Sequence, residues 1–319
     1  MLQETGYVVG VDIGGSNLRL ALAGTDGKIL AKWAVSTAGI RDPQVVVRLI
    51  EEGVDDLLQQ NRLSRSLLLA VAAGAPGVTN VDEGVVIATS YLMGWRDVPL
   101  RGLLETRLGV PAAVENDVNT AAIAESRIGA GQGIRDFVFI AVGTGIGAGI
   151  VLNGRLFHGM GWSAGEIGYM LVPGTSVSPV DKGQPGALES VVGGEGIKAQ
   201  WQSLWSEERT PLPRDLVATQ IFDHALQGDS LAQRVLHQSA QTLAYAIYNL
   251  AVVLNCPLVV LGGSVGMHPA LWKSTQKILA QRDKRLQPEL VRSTLGPEAQ
   301  VNGAIQLALD AAASRVLST

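Results

Sequence analysis

Two similar α/β halves with a cleft between them are what the sequence predicts, on three observations. The chain has 319 residues, more than a single hydrophobic core ordinarily serves. Apolar β-branched runs alternate with helical patterns through both halves. A strand ending in Asp12-Ile13-Gly14-Gly15-Ser16 is echoed by one ending in Gly143-Thr144-Gly145-Ile146-Gly147, and each is followed by another strand. That order separates the chain from Rossmann and Walker-A proteins, whose glycine loop opens a helix.

The elements follow in order. Tyr7–Ile13, Asn17–Ala23 and Lys28–Val35 are apolar runs separated by Gly14-Gly15 and Asp26-Gly27, the spacing of hairpin-connected strands. Pro43 opens a helical pattern that runs to about Gln60. Leu67–Ala73 reads as a buried strand ended by Gly74 and Pro76. Pro111–Val114 is a short strand before a helix over Val118–Ile128. Asp136–Val142 and Ile146–Leu152 form a strand pair, and Ser230–Leu254 a long helix of apolar period. Pro257–Leu261 is a strand ending at Gly262-Gly263, and Asn302–Val316 a last amphipathic helix. The expected division is a smaller domain of residues 1–117 with 300–319 and a larger one of 118–299.

Composition narrows the function classes. Hydrophobic residues make up 47% and charged residues 17%, which argues for a packed enzyme rather than a disordered chain. A net charge of −4 without a basic tract argues against a nucleic-acid partner. Cys256 is the single cysteine, so an internal disulfide and a thiolate-rich metal site are both excluded. The first residues lack the basic region and cleavage site of a signal peptide. No apolar run approaches the ~20 residues that span a bilayer. The expectation is a soluble, cytoplasmic protein with no membrane partner.

Several residues can carry chemistry. In Asp12-Ile13-Gly14-Gly15-Ser16-Asn17 the glycines let backbone amides approach phosphate oxygens, Ser16 adds a donor, and Asp12 can hold Mg²⁺. The same residues equally suit a tight hairpin. Gly143, Thr144, Gly145 and Gly147 offer a second phosphate turn, though alone they better suit a glycine-rich hairpin, and Gly262-Gly263-Ser264 a third where adenine or ribose could stack. Glu115-Asn116-Asp117 closes a strand just before a helix, where an aspartate can accept a proton from an attacking hydroxyl. Asp and Asn are also favoured helix caps, and spacing alone prefers that reading for Asp117. Glu166 and Glu189 are carboxylates among small and apolar residues, able to accept from a polyol or to lie on the surface. His158, His224, His237 and His268 show no metal-ligand spacing and read as incidental; Trp201 and Trp205 read as packing or an interface.

Taken together and in order, DIGGSN, GAPG at 74–77, END at 115–117, GTGIGAGIVLNG at 143–154, AGEIGYM at 164–170, ALES at 187–190 and LGG at 261–263 resemble the ROK family (repressor, open reading frame, kinase). The resemblance spans nearly the whole chain and is nearest to the family's sugar-kinase branch, of the bacterial glucokinase kind. It implies a two-domain, actin-like ATPase fold with ribonuclease-H-like halves. It implies ATP and Mg²⁺ as cofactors, with Asp12, Gly14, Gly15, Ser16 and Asn17 facing phosphates and metal and the 143–147 turn holding phosphates from the other domain. Asp117 would be the general base for the 6-OH of a hexose. Asn116, Glu166, Glu189 and the backbone at Gly77 would bind its other hydroxyls. A homodimer or homotetramer is implied in the same way.

Two departures stand out. Family members commonly hold a structural zinc with one histidine and three cysteines. Here the histidine position is Tyr169, and the cysteine segment reads Val180-Asp181-Lys182-Gly183-Gln184-Pro185-Gly186-Ala187-Leu188-Glu189. All four ligands are missing together, so no zinc is expected. Tyr169 and Tyr91 both fall at the sugar end and leave the identity of the sugar open. The alternatives to a kinase are a family repressor, which needs a helix-turn-helix ahead of a first strand that here begins near Tyr7, and a sugar sensor without catalysis, which would not need Asp12 and Asp117 together.

Overall fold

The computed structural model describes residues 6–89, 92, 94–178 and 184–317; Tyr91 and residues 180–183 of the segment that replaces the family's cysteines lie outside them. The chain divides into two compact units. The first runs to Ala124 and adds His158–Ser163 and the chain from Glu298 onward; the second holds Glu125–Phe157 and Ala164–Pro297.

In the first unit, β1 (Tyr7–Ile13), β2 (Asn17–Gly24) and β3 (Ile29–Ser36) form an antiparallel meander. β1 also pairs in parallel with β4 (Leu68–Ala75). A small antiparallel sheet of β5 (Val78–Asn80), β6 (Val85–Ala88) and β7 (Arg96–Val98) follows. β8 (Ala112–Asn116) then pairs in parallel with β4, giving the order β3-β2-β1-β4-β8.

Strand alternation sorts the core into two layers. Val9, Val11 and Ile13 of β1 pack with Val46, Val47, Ile50, Val54 and Leu57 of α1 (Pro43–Gln60) and with Leu100 and Leu104 of α2 (Leu100–Leu108). Val8, with Ala21, Ala70 and Ala72, packs against Val301, Ile305 and Ala308 of the last helix, Ala299–Leu317. Each valine, leucine or isoleucine among them stabilises the fold by roughly 1.5–3 kcal/mol when fully buried. Glycine permits the close approach of that helix: a Cβ on Gly303 would lie 1.7 Å from the Thr120 carbonyl oxygen. Asp42 caps α1 by accepting from the Gln44 amide at 2.8 Å, with Pro43 in the first turn as the sequence predicts.

The second unit repeats the plan. β9 (Phe137–Val142), β10 (Ile146–Leu152) and β11 (Arg155–Leu156) are antiparallel neighbours. β12 (Leu258–Gly262) and β13 (Glu289–Arg292) join β9 in parallel, giving β11-β10-β9-β12-β13. Order and polarity match the first sheet strand for strand, so the echo of the two glycine turns reflects a repeated topology. Helices α4 (Glu189–Val192), α5 (Gly194–Leu204), α6 (Ala218–Leu226), α7 (Ser230–Leu254) and α8 (Pro269–Leu279) accompany this sheet. The tryptophans of the helical spacing are packing residues: Trp201 is wholly buried and donates to the Pro213 carbonyl at 3.1 Å, and Trp205 donates to Leu212 at 2.7 Å. Between the described parts of β8 and β9 lies α3 (Asp117–Ile128), and the division between the units falls inside it. Among the described residues no helix is long and apolar enough to cross a membrane.

Candidate functional site

In the first unit the predicted site residues gather at the carboxyl ends of the three parallel strands β1, β4 and β8, the end where open α/β sheets bind ligands. Asp12 is the penultimate residue of β1 and is 6% exposed. Its Oδ2 accepts from Nε of Arg19, the residue opposite it on β2, at 2.9 Å and from the same guanidinium's Nη2. Burial pushes the Asp12 carboxyl above its ordinary value, and the Arg19 charge and hydrogen bond pull against that. Beyond Asp12, the Gly14 amide donates to the Asn17 carbonyl at 2.8 Å and the Thr37 amide to Ser16 at 2.9 Å. These bonds make a pinned hairpin tip whose Gly15, Ser16 and Asn17 are exposed.

Gly77 follows β4 with φ +98°, a conformation that glycine adopts without strain. Its carbonyl accepts from Asn116 Nδ2 at 2.9 Å. Asn116 ends β8, and its Oδ1 accepts from the amides of Val118 and Asn119 at 2.9 and 3.0 Å. That is the geometry of an N-cap. The reading of Asp117 as the cap is therefore corrected in part: β8 continues through Asn116, which takes the N-cap position, while Asp117 Oδ1 shares the Val118 amide at 2.9 Å. Asp117 is instead the first residue of α3, half-buried at the strand end.

The histidines are corrected as well. His158 Nε2, itself half-buried, lies 2.7 Å from Oε2 of the buried Glu115, the residue before Asn116 and Asp117. The hydrogen bond and charge of Glu115, with Asp82 adding to them, hold the imidazole above its ordinary value against the opposing effect of burial. His268 accepts from the Ala270 amide at the start of α8 and pairs with Asp223 at 3.1 Å. Glu115, Arg19 and Asn119 also went unread. Their roles depend on partners across strands or on another element, although Glu115 sits in the END motif itself.

In the second unit the glycine turns again sit at strand ends. Gly143 and Thr144 carbonyls accept from Gly194 and Glu195 at 2.9 and 3.1 Å, so the 143–147 turn rests on the start of α5. The Val142 carbonyl accepts from Val265 and Gly266, both at 3.0 Å, which brings Gly262-Gly263 beside that turn. Gly263 has φ +79°, and a Cβ there would lie 2.3 Å from the Val142 oxygen. Glycine turns of this kind can cradle phosphate oxygens.

Glu166 and Glu189 are brought together near the start of β10. The Ala148 amide donates to Gly165 at 2.8 Å, and Glu189 Oε2 accepts from the Ile146 amide at 3.1 Å. Loss of hydration, with repulsion from Glu189 second, holds the Glu166 carboxyl above its ordinary 4.5. Tyr169, in the short turn Ile167–Tyr169, is 58% exposed. Among the described residues no group of three His, Cys, Asp or Glu side chains is placed to hold a metal ion.

Known proteins share this pattern. A glucokinase from Halalkalibacterium halodurans is 35% identical over 266 residues, covering 81% of this chain and 80% of that protein. An N-acetylmannosamine kinase from Escherichia coli is 33% identical over 300 residues, covering 94% and 97%. Among solved structures, a ROK family glucokinase from Streptomyces griseus in complex with glucose and AMPPNP superimposes with a TM-score of 0.80 at 26% identity, covering 96% of this chain and all of that one. The fold is accordingly the actin-like ATPase fold of these sugar kinases. The profile of the ROK family matches residues 8–311, which takes in both repeated sheets and every glycine turn described above, and the chain belongs to that family.

Proposed function

We propose that this protein is an ATP-dependent hexose kinase that transfers the γ-phosphoryl group of ATP to a sugar hydroxyl, the 6-OH, with Asp117 as general base. The hydroxyl oxygen attacks phosphorus, its proton passes to the Asp117 carboxylate, and ADP leaves. The observation that carries this reading is the place of Asp117: it is the first residue of α3 at the carboxyl end of β8, beside the capping Asn116, with its Oδ1 held by the Val118 amide at 2.9 Å. Similarity to both a glucokinase and an N-acetylmannosamine kinase supports a hexose or 2-acetamido-hexose substrate.

In this reading Asn116, Glu166, Tyr169, Glu189 and the Gly77 backbone contact the sugar. The nucleotide is held by Gly14, Gly15, Ser16 and Asn17 and by Gly143, Thr144, Gly145, Gly147, Gly262 and Gly263. The donor set fits Mg²⁺ bound with ATP: Asp12 offers Oδ1 outside its Arg19 pair, and Mg²⁺ commonly takes one or two carboxylates beside phosphates and water. The ion would neutralise phosphate charge. We further propose a zinc-free homodimer or homotetramer. Metal analysis and light scattering test those two points.

The deciding experiment is an ADP-release assay with Mg-ATP against glucose, mannose, fructose, allose, N-acetylglucosamine, N-acetylmannosamine and a β-glucoside disaccharide. Turnover on one of these, lost in Asp117→Asn, is the expected result. Sugar binding by calorimetry without any turnover would replace the kinase by a sensor.

A further inference from the structure

We infer that Glu115 and His158 form a charge-compensated pair that positions the Asn116–Asp117 turn for phosphoryl transfer, an inference that rests on the kinase reading. Glu115 is 4% exposed, and a carboxylate so buried requires partners. Its Oε1 accepts from the Asn116 amide and from Asn119 Nδ2, both at 2.9 Å. The one carboxylate thus grips the chain on either side of Asp117, at the residue before it and at the first turn of α3 after it. Its Oε2 is taken by His158 at 2.7 Å. His158 starts the short segment His158–Ser163, which groups with the first unit although its neighbours in sequence group with the second.

Charge decides what His158 contributes beyond a hydrogen bond. A neutral imidazole can still donate from Nε2, but only the imidazolium neutralises Glu115. The charged groups that face it are Glu115 and Asp82, in the turn between β5 and β6, and both favour the protonated form. As pH rises through the titration of His158, which lies above its ordinary 6.5, Glu115 becomes an uncompensated anion in the turn that carries the general base. The transition state of phosphoryl transfer already concentrates negative charge. Turnover therefore falls on the alkaline side, without a matching change in ATP affinity.

The test compares pH–rate profiles of the full chain with those of His158→Gln, which keeps a donor but no charge, and His158→Arg, which fixes the charge. The expected results are a fall in kcat of about tenfold in His158→Gln at neutral pH, the scale of one charge-assisted hydrogen bond. KM for ATP stays within about twofold, and the alkaline limb moves upward in His158→Arg. Turnover in the wild type with an unaltered His158→Gln profile overturns this inference and spares the kinase. No turnover in the wild type overturns both. Should the variants fail to fold, NMR titration of the wild-type imidazole against Glu115→Gln decides: the His158 titration must move down, and an unmoved one refutes the pair.

Discussion

Stability and turnover should separate at adjacent residues, Asn116 and Asp117. Asn116→Ala removes the cap that accepts from two α3 amides and the bond to the Gly77 carbonyl. Losing an N-cap costs about 1 kcal/mol and the part-buried hydrogen bond about another. A total of ~2 kcal/mol lowers the thermal midpoint of a unit this size by roughly 4–8 °C. Asn116→Asp keeps an oxygen for the cap and loses the donor to Gly77, so about half of that loss is expected. Asp117→Asn keeps an oxygen for the Val118 amide and replaces the carboxyl by a group that cannot take up a proton. Its midpoint should stay within about 2 °C of wild type, while kcat falls by about 10²–10⁴, the range for loss of a general base. Differential scanning calorimetry and the ADP-release assay on the same preparations measure both quantities. If Asp117→Asn destabilises as much as Asn116→Ala, or Asn116→Ala melts with the wild type, the assignment of cap and base is wrong.

Three other outcomes follow from the packing and charges. Gly303→Ala forces a Cβ against the Thr120 carbonyl, a backbone atom that cannot swing away, and should destabilise by at least ~1–3 kcal/mol, read as a lowered urea midpoint. Trp201→Ala empties a wholly buried indole site in the second unit and should cost about 3–5 kcal/mol by the same measurement. Glu166 binds its proton more tightly in the fold than in the unfolded chain, so its contribution is full below about pH 4.5 and is lost as pH rises through its raised folded value. The thermal midpoint of Glu166→Gln should therefore gain on wild type between pH 4.5 and 7 while sugar affinity drops; parallel pH curves would refute the strain at that carboxylate.

The parts of the fold legible in the sequence are those whose periodicity is long. β1, β2, β9, β10 and α7 were read from apolar runs and come out close to the expected limits. The β5–β7 sheet was invisible because strands of three or four residues are too short to show a period of two. The last helix begins at Ala299, three residues before the expected Asn302, because a helix end is set by local bonding as well as by the apolar stripe. At the site, the glycine turns and END could be named from order and residue type. Which residue caps α3 depended on where β8 ends, and the His158–Glu115 pair spans 43 positions with no local pattern to reveal it.

The repeated sheet also puts different residue types at equivalent strand ends of the two units. Each has an antiparallel meander followed by parallel strands, so each presents loops at the carboxyl ends of its parallel strands. In the first unit the last residues of those strands carry side chains already engaged by the fold: Asp12 by Arg19, Asn116 by α3 and Gly77, and Glu115 by Asn119 and His158. In the second the loops carry glycines held by backbone bonds to Val142 and the start of α5. A side chain held on several sides is fixed in direction, as proton transfer requires. A glycine turn fixes only the backbone and leaves room for phosphate oxygens. In the kinase reading, substitution of Asp117 at the end of β8 therefore acts on kcat, and adding a Cβ at Gly143, where it meets no protein atom within 4 Å, acts on the KM for ATP. Loss of kcat from the Gly143 substitution, with ATP affinity intact, would be incompatible with that division.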